Sequence, residues 1–266
     1  MTELPRYLQL LWDREPEGRR GPKPGRSIQE IGAAAVAIAD AEGLDAVSMK
    51  SVAGAVGFTT MSLYRYVDSK DELHAVMLDV AYGPPALTYG ADEGWRERIT
   101  RWSRTITERR VSHPWTTDTP QLSPPLTPNA IAWMESGLEA LEDAPLTNQQ
   151  RLSAMLAIDG WAQNHVRQAQ QMGLVGPVDP DGPQGTYLQI IGQLIDPTSF
   201  PHLATAGPEA LDDDDEDFFA EEFARGLDLL LDGIEALIAR SGSPTRARRD
   251  RPTRATNAAR GSRSPR

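Results

Sequence analysis

The chain has 266 residues, 39% of them hydrophobic, enough for one large or two modest domains with a buried core. It contains no cysteine, which removes disulfide frameworks and thiolate metal sites and fits a reducing compartment. The formal net charge of -11 argues at first against a nucleic-acid partner, but acid concentrates at residues 212–217, whereas Arg19, Arg20, Lys23 and Arg26 form a basic stretch and the final residues are rich in Arg.

Residues 1–26 mix Pro, Gly, Arg and Glu without lasting periodicity and are expected to form a flexible, partly basic arm. Its basic end suits phosphates or a minor groove; a solvated tail without a role is the equal alternative. The apolar patch at 7–12 is too short and too acid-flanked for a signal peptide or a membrane span, so a cytoplasmic location is expected.

Ser27-Ile-Gln-Glu30 is a capping box, and Ile28, Ile31, Ala35, Ile38 and Ala39 recur at helical spacing as far as Gly43. Ser48 caps a second predicted helix that turns Met49, Val52, Ala53 and Val56 to one side. Gly57 stops it, because a residue just past a helix end commonly takes a left-handed conformation that glycine adopts at little cost. Phe58 follows as a core plug. Thr59 caps a third helix with Leu63 and Val67 facing inward and Met61 and Arg65 opposite. The outer surface is small and rich in hydroxyls, with Thr60, Ser62 and Tyr64, and side chains of this kind suit phosphate oxygens and base edges. Helix, short glycine turn and helix make a helix-turn-helix, whose second helix lies in the DNA major groove. Ser69-Lys-Asp-Glu72 is another capping box, opening a helix with Leu73, Val76, Met77 and Val80 that Gly83, Pro84 and Pro85 end.

Ser48, Val52, Ala53, Val56, Gly57, Phe58, Leu63, Tyr64, Tyr66, Val67 and the Lys-Asp-Glu-Leu run at 70–73 together resemble the DNA-binding domain of the TetR family of bacterial transcriptional regulators, over roughly residues 27–80. Tyr66 stands where that family often has His. The resemblance implies DNA contacts from Thr59, Thr60, Met61, Ser62 and Tyr64 on the reading helix, from Tyr66 and Lys70 to phosphate, and from Ser48 and Lys50 on the preceding helix.

Beyond a polar connection, Trp95, Ile99, Trp102 and Ile106 mark a helix closed at His113-Pro114. Residues 115–128 carry Pro120, Pro124, Pro125 and Pro128 and are expected to loop, with room for one helical turn. Ile131, Met134, Leu138 and Leu141 define a helix ended by Pro145. A capping box from Thr147 to Gln150 opens a long helix with Leu152, Met155, Leu156, Trp161 and Val166 before Gly173. A Gly, Pro and Asp-rich loop runs to Gly185. Residues 187–195 read as helix or buried strand, and helix is preferred because no other segment offers a strand partner. The acidic run at 212–217 is placed at the N-terminus of a last helix carrying Phe219, Phe223, Leu227, Leu230, Ile234, Leu237 and Ile238. There it complements the helix dipole better than it builds a calcium loop, lacking the glycine turn and terminal Glu. Residues 241–266 have no core formers and are expected to be disordered.

The expected fold is all-α. A three-helix DNA-binding domain occupies residues 27–82, and a larger helical bundle for ligand binding and dimerisation occupies 93–240. The helices at 147–172 and 214–240 are the candidates for pairing two subunits, since a lone helix-turn-helix reads too few bases. The family resemblance implies a small-molecule pocket in the second domain whose occupation releases the operator. Its candidate residues are Trp102, Trp133, Met134, Met155, Trp161, His165 and Tyr187, with Asp159, Gln163 and Asn164 as polar contacts. His165 and Asp159, six residues apart, fall on opposite sides of a helix and do not form an acid–base pair. No phosphate-binding glycine loop, nucleophile with its base or metal spacing is found, so no cofactor or metal is expected. The reading is thus a dimeric, ligand-responsive repressor of operator DNA. The alternatives are a helix-turn-helix interaction module that no longer binds DNA and, with less support, an all-helical enzyme.

Overall fold

A computed structural model describes residues 4–14, 25–119, 124–176, 187–206 and 218–242. Among them every regular element is helical and no strand occurs. In chain order the helices are α1 (Arg6–Leu11), α2 (Ile28–Glu42), α3 (Met49–Ala55), α4 (Thr60–Leu63), α5 (Lys70–Tyr82), α6 (Trp95–Ser112), α7 (Pro128–Ala140), α8 (Asn148–Gln171), α9 (Tyr187–Leu194), α10 (Pro201–Ala206) and α11 (Phe218–Gly242).

The head is built from α1 to α5 around Ile31, Ala35, Val47, Val52, Leu63, Val67, Leu73, Val76 and Met77, all essentially inaccessible. The expected caps are present. Ser27 accepts from Glu30 N while Glu30 accepts from Ser27 N, which closes the capping box of α2. Ser69 likewise accepts from Glu72 N, but the Glu72 carboxylate takes Asp68 N instead of the cap's own amide, so this box is displaced by one residue. Gly32 lets α2 lie against α5, where a Cβ would stand 2.7 Å from Val80 Cγ2.

The expectation of a flexible arm fails at residues 6–11. They form α1, whose Tyr7, Leu8 and Leu11 are buried in the head's core, a burial that offsets the ordering entropy a polar arm could not recover. The basic Arg19, Arg20 and Lys23 lie outside the described residues, as do the acidic run at 212–217, the loop at 177–186 and the tail from 243.

The second domain packs α6, α7, α8 and α11 around Ile99, Trp102, Trp133, Leu141, Met155, Ile158, Ala162, Leu227 and Leu231. Pro128 begins α7 rather than ending a loop, at a position where its missing N–H costs nothing. One turn of 3-10 helix, Pro114–Thr117, fills the space left for it, and α7 stops at Ala140, short of Pro145. Residues 187–194 are helical, as preferred, and α10 is an addition that no periodicity announced.

Candidate nucleic-acid interface and effector pocket

The helix-turn-helix is assembled from local hydrogen bonds. Ser48 Oγ accepts from Ser51 N and Ser51 Oγ accepts from Ser48 N, a reciprocal cap made by a second serine where Glu or Gln is usual. After Val56, Gly57 takes φ 75°, and Phe58 N reaches back to Ala53 O at 2.7 Å. Thr59 then caps α4 by accepting from Ser62 N. The regular α pattern ends at Leu63. It tightens into bonds from Arg65 N to Ser62 O and from Tyr66 N to Leu63 O, so the reading helix is shorter than its sequence suggested, although Leu63 and Val67 both face the core.

This geometry presents Ser48, Lys50, Thr59, Met61, Tyr64 and Lys70 to solvent, with Thr60 and Ser62 half-buried between them. Met61, on the outer face of α4, is 77% exposed. Tyr66 departs from the expected phosphate contact. It is buried, stacked 5.8 Å from Phe58, and its hydroxyl donates to the Arg26 carbonyl at 3.1 Å. Its place is to fasten the entry of α2 against the turn, because a phenol so committed has no free donor for DNA.

A cavity of about 370 Å³ opens between α5, α6, α7 and α8. Of the candidate pocket residues, Trp102, Trp133, Met134 and Met155 line it, together with Asp159. Trp102 donates its indole N–H to Trp133 O at 3.0 Å, and Trp133 donates to Gly83 O at 2.9 Å. Both polar edges are therefore satisfied within the protein, and the rings meet edge to face at 6.3 Å. The other candidates lie elsewhere. Trp161 lies against α11, donating to Phe223 O, and His165 packs 4.4 Å from the Phe219 ring with its Nε2 3.0 Å from Phe219 O. They belong to the seam between α8 and α11, because that face of α8 meets the Phe-rich start of α11. Gln163 and Asn164 are not in the cavity wall. The side chain of Tyr187 lies outside the described residues.

Arg110 and Tyr82 are among the wall residues that the sequence did not single out. Arg110, in the charged last turn of α6, is 3% exposed and donates to Asp159 Oδ1 at 2.7 Å, with the Tyr82 ring 5.7 Å from its guanidinium. Burial pulls its pKa down, but Asp159 and then Tyr82 pull harder and hold the cation above its ordinary value. Arg110 Nε and Nη1 find no hydrogen-bond partner among the described residues. Such donors carry a cost of about 1–3 kcal/mol until an acceptor reaches them.

Helix α5 is common to both sites. Leu73, Val76 and Met77 belong to the head's core, whereas Ala75, Leu78 and Tyr82 face the cavity. Asp79 joins α5 to α7: its carboxylate accepts from Asn129 N at 2.8 Å and Asn129 Nδ2 at 3.1 Å, capping α7 from another helix. Burial raises its pKa, and the bonds from Thr127, Asn129 and Ala130 offset only part of that. A second tie lies across the domains, where Asp40 of α2 accepts from Trp115 Nε1 at 2.7 Å and sits 2.9 Å from His113 Nδ1.

Alongside α11, a groove lined by Gln149, Ser153, Ala157, Leu229, Gly233 and Leu237 runs between α8 and α11. Leu229 is 75% exposed beside it. Among the described residues no cluster of His, Asp and Glu fits a metal ion, and no helix is long and apolar enough to cross a membrane.

Comparison with known proteins agrees with this division. Residues 31–77 match the family model described as "Bacterial regulatory proteins, tetR family", and residues 89–238 match "Tetracyclin repressor-like, C-terminal domain", leaving α1 outside both. The chain is 34% identical over 244 residues to the HTH-type transcriptional repressor DrrR1 of Streptomyces coeruleorubidus, covering 89% of this chain and 87% of that protein. It is 28% identical over 151 residues to an HTH-type transcriptional regulator of Saccharopolyspora erythraea, covering 57% of this chain and 64% of that one. Among solved structures, apo ActR from Streptomyces coelicolor superposes with a TM-score of 0.68 at 22% identity, over 84% of this chain and all of that one. ActR in complex with actinorhodin gives 0.66 at 24% identity, over 80% and 98%. With the head and the helical bundle each matched in their own right, and a repressor related over nearly the whole length, the chain belongs to the TetR family of bacterial transcriptional regulators.

Proposed function

We propose that the protein is a homodimeric repressor that leaves its operator when a small, largely aromatic molecule occupies the cavity between α5 and α8. The observation that carries this reading is the double membership of α5, one face in the core that positions α4 and the other in the cavity wall. A ligand that binds better when α5 is displaced shifts the head away from its DNA-competent position, a coupling of about 1–3 kcal/mol in typical cases.

On the DNA side, Thr60, Met61, Ser62 and Tyr64 read bases, and Lys70, Lys50 and the caps Ser48 and Thr59 meet phosphates. Tyr66 positions them without contact. Two heads are needed for useful specificity, and the α8–α11 face with Leu229 and its groove supports pairing through a four-helix contact. On the ligand side, the Trp102 and Trp133 faces suit a flat ring system, and Arg110 suits an oxygen acceptor upon it. ActR, which shares the fold, has been solved in complex with actinorhodin and with (S)-DNPA, which supports a small-molecule site in this chain.

Gel-shift titration with DNA from upstream of the gene, at two salt concentrations, tests the reading. A retarded complex that weakens steeply with salt is expected. No complex at low salt with any upstream fragment would contradict it.

A further inference from the structure

The cavity is not closed by the helical bundle alone. Pro5 and Tyr7 lie in its wall, beside Asp71, Glu72 and Ala75 of α5 and Pro125 and Leu126 of the segment before α7. They come from α1 and its N-terminal flank, a helix of six residues, too short to persist in water without tertiary contacts. Two bodies hold it. Tyr7, Leu8 and Leu11 are buried in the head's core, against α2 and α5. Trp12, just past the helix, donates its indole N–H to the Leu126 carbonyl at 2.8 Å, across 114 residues of chain. Burial, and then Glu72, raise the Tyr7 pKa, so its hydroxyl is a neutral donor at neutral pH.

We propose that α1 is a wall of the effector site, with Tyr7 a ligand-contacting side chain and the Trp12–Leu126 bond the tie that makes the head respond to an occupied cavity. The ligand class is the one the other walls select, an aromatic molecule carrying an oxygen acceptor, and the proposal rests on the reading of the cavity as the effector site. Because α1 is buried in the head by one side and faces the cavity by the other, a molecule that orders or displaces it acts on the α2–α5 packing without passing through α5 alone.

The test is hydrogen–deuterium exchange of the full chain with and without 1-anilinonaphthalene-8-sulfonate, whose rings suit the indole faces and whose sulfonate suits Arg110. Amides of α1 should slow along with those of α6 and α7. Tyr7→Ala should weaken the probe about fivefold, the scale of one lost aromatic contact. Should that variant not fold, Trp12→Phe keeps the ring and removes the donor, and it should lose the protection of α1 while retaining that of α6. Protection of α6 and α7 with α1 unchanged, in wild type, would overturn the proposal and leave the effector site standing. No protection in α1, α6 or α7 would overturn the effector-site reading and this one with it.

Discussion

Lys70 is exposed at the first position of α5, at the helix end whose N–H groups favour an anion. Lys70→Ala should weaken binding to all DNA sequences alike and lower the salt slope by about one, whereas Thr60→Ala should change sequence preference. Equal slopes for wild type and the lysine variant would exclude the phosphate contact. Gly57, at φ 75° with no atom near enough to obstruct a methyl group, isolates the cost of the left-handed turn. Gly57→Ala should lower stability by about 1–2 kcal/mol through conformation alone, read as a shift of the denaturation midpoint. Two buried histidines set a pH dependence. Burial, and for His74 also Lys70, depresses the pKa of His74 and of His165, and His74 Nε2 has no hydrogen-bond partner among the described residues. The unfolded chain therefore takes up protons below about pH 6.5 while the folded one resists, so stability falls as pH drops through that point. Melting temperature should decline from pH 7 to 5.5, and His74→Gln should flatten the decline; a temperature that rises on acidification would contradict the assignment.

At the scale of elements, α11 approaches α8 so closely at Gly226 that an added Cβ would run into the Trp161 ring. Gly226→Ala should cost about 1–3 kcal/mol by overpacking and, if these helices also pair the subunits, raise the concentration at which dimers form. A denaturation midpoint would show the first effect and sedimentation at graded concentrations the second, and an unaltered dimer with unaltered stability would place the seam elsewhere. The helix-turn-helix was legible because its signals are local: Ser48, Gly57, Thr59 and Ser69 each act within four residues of themselves. The cavity was only half legible. Trp102, Trp133, Met134 and Met155 announced themselves as large apolar side chains, but Arg110 reads as an ordinary surface cation until α8 brings Asp159 to it from 49 residues away. Trp161 and His165 had the same credentials as the true wall residues and differ only in which neighbour their side of α8 meets. Helix α1 was missed for the opposite reason, since its apolar residues were visible but nothing within them showed the surface that would receive them.

For the whole molecule, the two sites are joined at four places: α5 itself, the Asp79 carboxylate that caps α7, the Asp40 contacts with His113 and Trp115, and the Trp12–Leu126 bond. On the proposed reading, this arrangement makes the head and the cavity parts of one equilibrium, with filling the cavity and releasing DNA as opposite sides of a single coupling. Met134→Trp should fill part of the cavity and weaken 1-anilinonaphthalene-8-sulfonate about tenfold or more, while the melting temperature stays close to that of wild type; undiminished probe binding would move the ligand elsewhere. The central claim is that twin subunits present α4 to one duplex. It is tested most directly by sedimentation velocity of the protein with a labelled upstream fragment at low and high salt. Two protomers, or a multiple of two, should travel with each duplex at low salt and dissociate as salt rises, whereas a monomer that leaves every fragment's sedimentation unchanged would contradict the account.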